Sequence, residues 1–148
     1  MEIGLIIIGN EVLSGETLDT NTQFIGSILA ENGIVIKKKI TVTDEKNSII
    51  KAIDQLFEEF GIVLMTGGLG PTNDDITRKV LSEYFDTPLS FNQQLFEHIT
   101  ELLKHRHPKL ILPNELQAMI PSSAKILTNN FGTAPGLMLE KDGKILMA

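Results

Sequence analysis

The chain opens on an almost unbroken apolar run, Ile3, Leu5, Ile6, Ile7 and Ile8, which stops at Gly9 and Asn10. A short continuous run of this kind predicts a strand buried on both faces. The polar segment from Asn10 to Asn21 is rich in Gly, Ser, Thr and Asp and predicts a long loop. Loops of that length in compact domains either carry function or lack order. Thr20 or Asn21 is placed to cap a helix with Phe24, Ile25, Ile28 and Leu29 on one face. Gly33 stands where a left-handed C-cap would end it. Ile34 to Val42 alternates at first and is rich in β-branched residues, which predicts a second strand. Asp44 then caps a further helix, whose apolar face is Ile49, Ile50, Ile53, Leu56, Phe57 and Phe60. Gly61 ends that helix, and Ile62 to Met65 is a short, fully apolar third strand.

A glycine-rich stretch, Thr66 to Thr77, separates this strand from a helix with Val80, Leu81, Tyr84 and Phe85 inward. The next helix runs from about Asn92 to Lys104, with Leu95, Phe96, Ile99, Leu102 and Leu103 inward. Pro108 and Pro113 break the chain, and a short helical piece is expected around Glu115 to Met119. Strands follow near Lys125 to Thr128, Gly136 to Glu140 and Lys144 to Met147. Asp142-Gly143 between the last two is a hairpin turn signal. Strand–helix alternation at this spacing predicts an α/β fold with right-handed crossovers and a mainly parallel sheet covered on both faces. The terminal hairpin makes the sheet mixed. No internal repeat or low-complexity linker interrupts the pattern, so residues 1–148 are expected to form a single domain.

Composition narrows the chemistry. The 148 residues carry a formal charge of −6, with 42% apolar and 22% charged residues, as an ordinary globular domain does. About 70% of the unfolded chain's surface can be buried at this length, enough for a core without covalent staples. Cysteine is absent, which excludes disulfides, thiolate metal sites and cysteine nucleophiles. The acidic balance argues against a nucleic-acid partner. The only basic run, Lys37 to Lys39, fits a solvated strand edge. Glu2 and the early end of the apolar run at Ile8 do not suit a signal peptide, and no stretch has the roughly 18 apolar residues of a membrane span. A cytoplasmic location, with no membrane partner, is the expectation.

Ligands of open α/β sheets bind beyond the carboxyl ends of the strands. There, Gly67, Gly68 and Gly70 let the backbone approach a ligand, and the helix start after them adds unpaired N–H donors. Together these make a phosphate cradle. Neither common phosphate-loop pattern matches, since a Walker lysine and a third fingerprint glycine are both missing. Asp74 and Asp75 place negative charge beside the cradle, which favours a phosphate bound with Mg²⁺ or Mn²⁺; helix capping by Asn73, Asp74 and Asp75 explains them equally. Asp44 and the loop Gly9-Asn10-Glu11 belong to the same edge, so acids follow three strands in turn. His98, His105 and His107 have no metal-site spacing and read as surface residues. Met65, Met119, Met138 and Met147 are most simply core filler. A small-residue stretch, Asn129 to Gly136, precedes a later strand, with Thr133 as a hydroxyl donor and Gly132 allowing close approach; a plain turn explains it as well.

Taken together, Gly9 to Gly15, Asp19-Thr20-Asn21, Val42-Thr43-Asp44, Thr66 to Thr77, Asn114 to Ala118 with Pro121, and Asn129 to Gly136 resemble the molybdopterin-binding-like domain at the amino end of competence/damage-inducible (CinA) proteins. The MogA/MoaB enzymes of molybdenum cofactor synthesis share that domain more distantly. The resemblance implies a three-layer α/β/α fold, a homo-oligomer (dimer or trimer), and a nucleotide or pterin pocket at the strand ends. For the CinA type it implies metal-dependent pyrophosphatase activity on ADP-ribose, giving AMP and ribose 5-phosphate. By position, Asp44, Asp74 and Asp75 match the family's acidic site residues, with Asp74 and Asp75 implied at the metal, and Asp44 and Asp75, together with the hydroxyl residue Thr77, implied in catalysis. Gly67, Gly68, Gly70, Thr72, Thr77 and Thr133 match its ligand-cradling residues, with Gly9, Asn10, Glu11, Asn73 and Gly132 beside them. Many relatives have Asp where this chain has Asn10. In full-length relatives the chain continues past the position of Ala148 into a Pro-Gly-x-Pro loop and a nicotinamide mononucleotide deamidase domain. Two alternatives stand beside hydrolysis: a pterin- or nucleotide-binding module of cofactor synthesis, and a catalytically silent assembly domain.

Overall fold

The computed structural model describes residues 1–72, 74–104 and 113–148. Asn73, His105, His107 and Pro108 lie outside the described residues. The elements run β1 (Glu2–Ile8), α1 (Asn10–Leu13), α2 (Thr20–Glu31), β2 (Val35–Val42), α3 (Lys46–Glu59), β3 (Ile62–Thr66), α4 (Thr77–Tyr84), β4 (Leu89–Phe91) and α5 (Gln93–Lys104). A 3₁₀ segment, Pro113–Ala118, leads into β5 (Met119–Pro121), β6 (Lys125–Leu127), β7 (Gly136–Lys141) and β8 (Lys144–Met147).

Six strands form one sheet in the order β2-β1-β3-β8-β7-β6. β2, β1, β3 and β8 are parallel, whereas β7 runs antiparallel between β8 and β6. The fold is the expected α/β class, a mainly parallel mixed sheet between helical layers. β1 shows why: every residue from Ile3 to Ile8 is buried, so both faces of the sheet are covered at its centre. α3 packs Ile49, Ala52, Ile53, Leu56 and Phe57 inward, and Leu137, Leu139 and Leu146 of the hairpin join the same core. Asp142 and Gly143 both take positive φ, 53° and 73°, as the two-residue hairpin turn requires. No described helix is long and apolar enough to cross a membrane.

Several local expectations need correction. The polar segment after β1 does not start as a loop, because Asn10–Leu13 closes a helical turn. The cap of α2 is Asp19, whose carboxylate accepts the Thr22 amide at 2.9 Å, one residue before the expected cap. Asp44 does not cap α3: the N-cap position is Glu45, without a side-chain bond. β4 and β5 form a separate two-stranded sheet that escaped the sequence pattern, since three residues are too few to show alternation. The apolar stripe of α2 exists, but α2 buries no residue, and Phe24 and Ile28 are exposed. Lys37, Lys38 and Lys39 sit on the edge strand β2 and pair with Glu2, Glu59 and Asp19, as a solvated edge should.

Candidate functional site

Parallel strands bring their carboxyl ends to one edge, so the segments after β1, β2 and β3 meet there. β6 points the same way as those strands, which places the β6–β7 loop on that edge too. Asp44 accepts the Asn10 amide through Oδ2 at 3.0 Å, tying the end of β2 to the first turn of α1. The Gly9 amide donates to Val42 O at 3.1 Å, and the Glu11 carboxylate folds back over Gly9. Asn21 Nδ2 donates to Thr66 Oγ1 at 3.1 Å, joining the start of α2 to the end of β3.

The turn after β3 is built from the inside. Gly67 adopts φ 112° and lies so close to β1 that a Cβ there would sit 2.0 Å from Ile8 O. Gly68, at φ 65°, would place a Cβ 2.4 Å from Thr77 Oγ1. Only glycine fits either position. Protein donors then take the carbonyls of four successive residues. Thr77 donates its hydroxyl to Gly67 O at 2.9 Å and its amide to Gly68 O at 3.2 Å. Arg78, 5% exposed, donates to Leu69 O at 2.5 Å and to Gly70 O at 2.9 Å. Gln117, from the 3₁₀ segment, donates to Leu69 O at 3.2 Å. Among the described residues, no protein acceptor takes the Gly68 or Leu69 amide. These two amides lie well before α4, which begins at Thr77 and whose first amide is already donated to Gly68 O, so the expected helix-start donors are not part of this turn. A turn whose carbonyls are held by protein donors while two amides have no protein acceptor is suited to an anion.

Asp75 belongs to the frame of this turn. Its Oδ2 accepts the Thr72 amide at 2.9 Å and the Thr72 hydroxyl at 2.5 Å. Burial opposes its ionisation, but the Thr72 and Gly70 hydrogen bonds and the nearby Arg78 charge outweigh that, and its carboxyl is held below the usual range. Burial in turn lowers the Arg78 guanidinium, against the pull of Asp75. Thr77 is fully buried and acts as a fastener between α4 and the turn. Asp74 is exposed on the turn. A cleft of about 190 Å³, which Asp74 does not line, is walled by Thr72, Asp75, Arg78 and Leu116.

The structure thus brings Gly9, Asn10, Glu11, Asp44, Gly67, Gly68, Gly70, Thr72, Asp75 and Thr77 to one edge. Gly132 and Thr133 lie on the β6–β7 loop of that edge, beyond β8. There Asn129 Oδ1 accepts the Phe131 and Gly132 amides at 2.9 and 3.0 Å, and its Nδ2 donates to Ala134 O at 3.0 Å. His98 is not a plain surface residue, since its Nε2 lies 3.0 Å from Asn129 O. Arg78 was missed by the sequence reading. A cation in the first turn of a helix opposes the dipole, and that mismatch is the signal that a carbonyl partner holds it.

A divalent cation would find a thin donor set here. Among the described residues no three His, Asp or Glu side chains converge, and the Asp44 and Asp75 carboxylates already accept amides. One or two carboxylates could hold Mg²⁺ only together with oxygens of a bound phosphate.

Comparison with known proteins agrees with this architecture. Residues 4–148 match the family described as "Probable molybdopterin binding domain". A CinA-like protein of Flavobacterium psychrophilum is 37% identical over 149 residues, covering 100% of this chain and 36% of that protein. The chain therefore spans about a third of the length of such relatives. The crystal structure of the protein CinA from Thermoplasma acidophilum, described as of unknown function, superposes with a TM-score of 0.83 at 30% identity, covering 99% of this chain and 85% of that one. The tungsten cofactor synthesizing protein MoaB of Pyrococcus furiosus shares the fold alone, at 18% identity and a TM-score of 0.58, over 99% of this chain and 78% of that one. By its matched length and its likeness to the Thermoplasma structure, the chain belongs to the probable molybdopterin binding domain family, on its CinA-like side.

Proposed function

We propose that this chain is a binding module for a small phosphate-bearing ligand of the molybdopterin or nucleotide type. The observation that carries the reading is the turn Gly67–Gly70, whose carbonyls are all engaged from within while the Gly68 and Leu69 amides are not. A turn already fixed through its carbonyls has less ordering cost to meet when its amides take a phosphate. Membership of a family named for molybdopterin binding supports the ligand class. Calorimetry of the purified chain with AMP, ADP-ribose and a pterin monophosphate tests it. Saturable binding of at least one of them, lost on Gly68→Val, supports the reading. No heat from any of them, in a folded sample, removes it.

Metal-dependent hydrolysis of ADP-ribose is the second reading, favoured by Asp44 following β2 and Asp74 and Asp75 following β3, the two strands that flank β1 on the binding edge. It requires Mg²⁺ or Mn²⁺ held jointly with the substrate. AMP released from ADP-ribose only when the cation is added, and no longer from Asp74→Ala, would favour it over binding alone. Assembly with further copies of the chain, as a dimer or trimer, fits the uncovered apolar face of α2.

A further inference from the structure

The hairpin turn Asp142-Gly143 closes a cleft of about 540 Å³ against the ends of α3 and α4. It lies on the amino edge of the sheet, since β8 enters beside the start of β3, with Ile145 opposite Ile62. The five residues of β3 therefore set it roughly 16 Å from the glycine turn. Asp54 and Glu58, one turn apart on α3, line one side of the cleft. Lys141 and Lys144, directly opposed across the hairpin, line the other. The Phe57 and Tyr84 rings, 6.3 Å apart, give it apolar surface. Tyr84 donates its hydroxyl to Asp54 Oδ1 at 2.8 Å, which fixes one acid of the pair.

Both charged pairs break local rules. Like charges four apart on a helix repel, and Glu58 stands in the last turn of α3, where the dipole favours a cation. Like charges directly opposed in a hairpin repel as well. The two pairs do not cancel one another: among the described residues no ion pair joins either lysine to Asp54, Glu58 or Asp142. Each ammonium instead gives one hydrogen bond to a helix-end carbonyl, Lys141 to Tyr84 O at 3.1 Å and Lys144 to Phe57 O. Their Nζ atoms lie 5.9 Å from the Tyr84 ring centre and 5.6 Å from that of Phe57. Two N–H donors on each ammonium remain. Helix capping explains why the lysines point inward, but not why an acid pair faces them across open space. Unfavourable local choices gathered in one place are the mark of a functional site. Asp142 adds a third carboxylate to the two ammoniums, so a phosphate dianion is repelled, while a bare amine meets the lysines. A molecule with one charge of each sign satisfies both walls.

We propose that this cleft binds a free aromatic α-amino acid, with its carboxylate between Lys141 and Lys144, its ammonium against Asp54 and Glu58, and its ring on Phe57 and Tyr84. Amide spectra of the ¹⁵N-labelled chain test it with four probes: L-phenylalanine, 3-phenylpropionate, phenethylamine and inorganic phosphate. L-Phenylalanine shifts Glu58, Tyr84, Asp142 and Gly143 saturably and leaves Gly68 on the opposite edge unmoved. Each probe that lacks one of the two charges binds the cleft at least about tenfold more weakly, because one wall is left without its partner. Glu58→Gln and Lys141→Gln each weaken L-phenylalanine by about tenfold. Glu58→Gln also raises the melting temperature, since it relieves the clash with Asp54 and with the helix dipole, whereas a merely structural role for Glu58 would lower it. The proposal is overturned if L-phenylalanine shifts none of the four cleft residues, or if either variant binds it as the parent chain does. It is equally overturned if 3-phenylpropionate or phosphate binds the cleft as tightly as L-phenylalanine, which makes it an anion site, or if phenethylamine does, which makes it a cation site. None of these results bears on the glycine turn, whose own test uses other resonances.

Discussion

The Thr77 hydroxyl donates to the Gly67 carbonyl at 2.9 Å, so the first residue of α4 is fastened to the first residue of the turn that precedes it. The same residue donates its amide to Gly68 O. Thr77 is buried, so its hydroxyl has no water to fall back on. Thr77→Val should destabilise the chain by about 1–2 kcal/mol, because it leaves the Gly67 carbonyl short of a partner. Thr77→Ser keeps the donor and should recover most of that loss. Urea unfolding of the three proteins measures both values. Equal stability for valine and serine would show that the hydroxyl does not matter.

Arg78 spans two carbonyls, Leu69 O and Gly70 O, with the two ends of one guanidinium. Lysine has one point of donation and cannot reproduce that fork. Arg78→Lys should therefore cost about 1–3 kcal/mol and weaken phosphate-ligand affinity beyond what the fold loses. Unfolding curves and calorimetry on the same samples separate the two effects. Unchanged affinity in a folded Arg78→Lys protein would mean that the turn holds its shape without the fork.

Acid should loosen the turn through Asp75. Its folded pKa lies below the ordinary value of 3.8, so the stability it contributes is present above that value and is lost as pH falls through the folded pKa. The melting temperature should stay level from pH 7 to about 5 and fall below about 4. Asp19 acts in the same window: burial opposes its ionisation, but bonds from Thr22 and Lys39 more than offset this and lower its pKa. Asp75→Asn should flatten part of the fall, and the pair of Asp75→Asn with Asp19→Asn should flatten more. Thermal melts across pH give the result directly. An unaltered acid limb in the double variant would contradict the assignment.

Phe24 is 67% exposed on a helix that buries nothing. Uncovered apolar patches of this kind mark interaction surfaces. If the chain assembles through α2, Phe24→Glu should convert an oligomer to a monomer in sedimentation while leaving the melting of the monomer within about 0.5 kcal/mol. An oligomer that survives the charge uses another face.

How much of this could be read from residues alone differs by level. The sheet was legible because Ile3 to Ile8 and Ile62 to Met65 are nearly continuous apolar runs, and because Asp142-Gly143 between two strand patterns is a strong hairpin signal. The glycine turn was legible because Gly67 and Gly68 are too closely spaced to be incidental after a strand. The job of each polar residue around it was not. Asp44 and Asp75 sit where caps or ligands are expected, and sequence position cannot say that Asp44 bonds an amide from another strand's end, or that Asp75 closes on Thr72. Gln117 reaches Leu69 across 48 residues, a separation at which no local pattern survives. α2 shows the opposite limit: its periodicity is real, but periodicity records an apolar face and not what covers it.

The central claim is that the amides of Gly68 and Leu69 receive a phosphate. Titrating ¹⁵N-labelled protein with pyrophosphate and following those two amide resonances tests it most directly. Saturable downfield shifts of both, with Ile8 and the core strands unmoved, are the predicted result. Resonances of Gly68 and Leu69 that stay fixed while pyrophosphate perturbs other parts of the chain, or perturbs none, would contradict it.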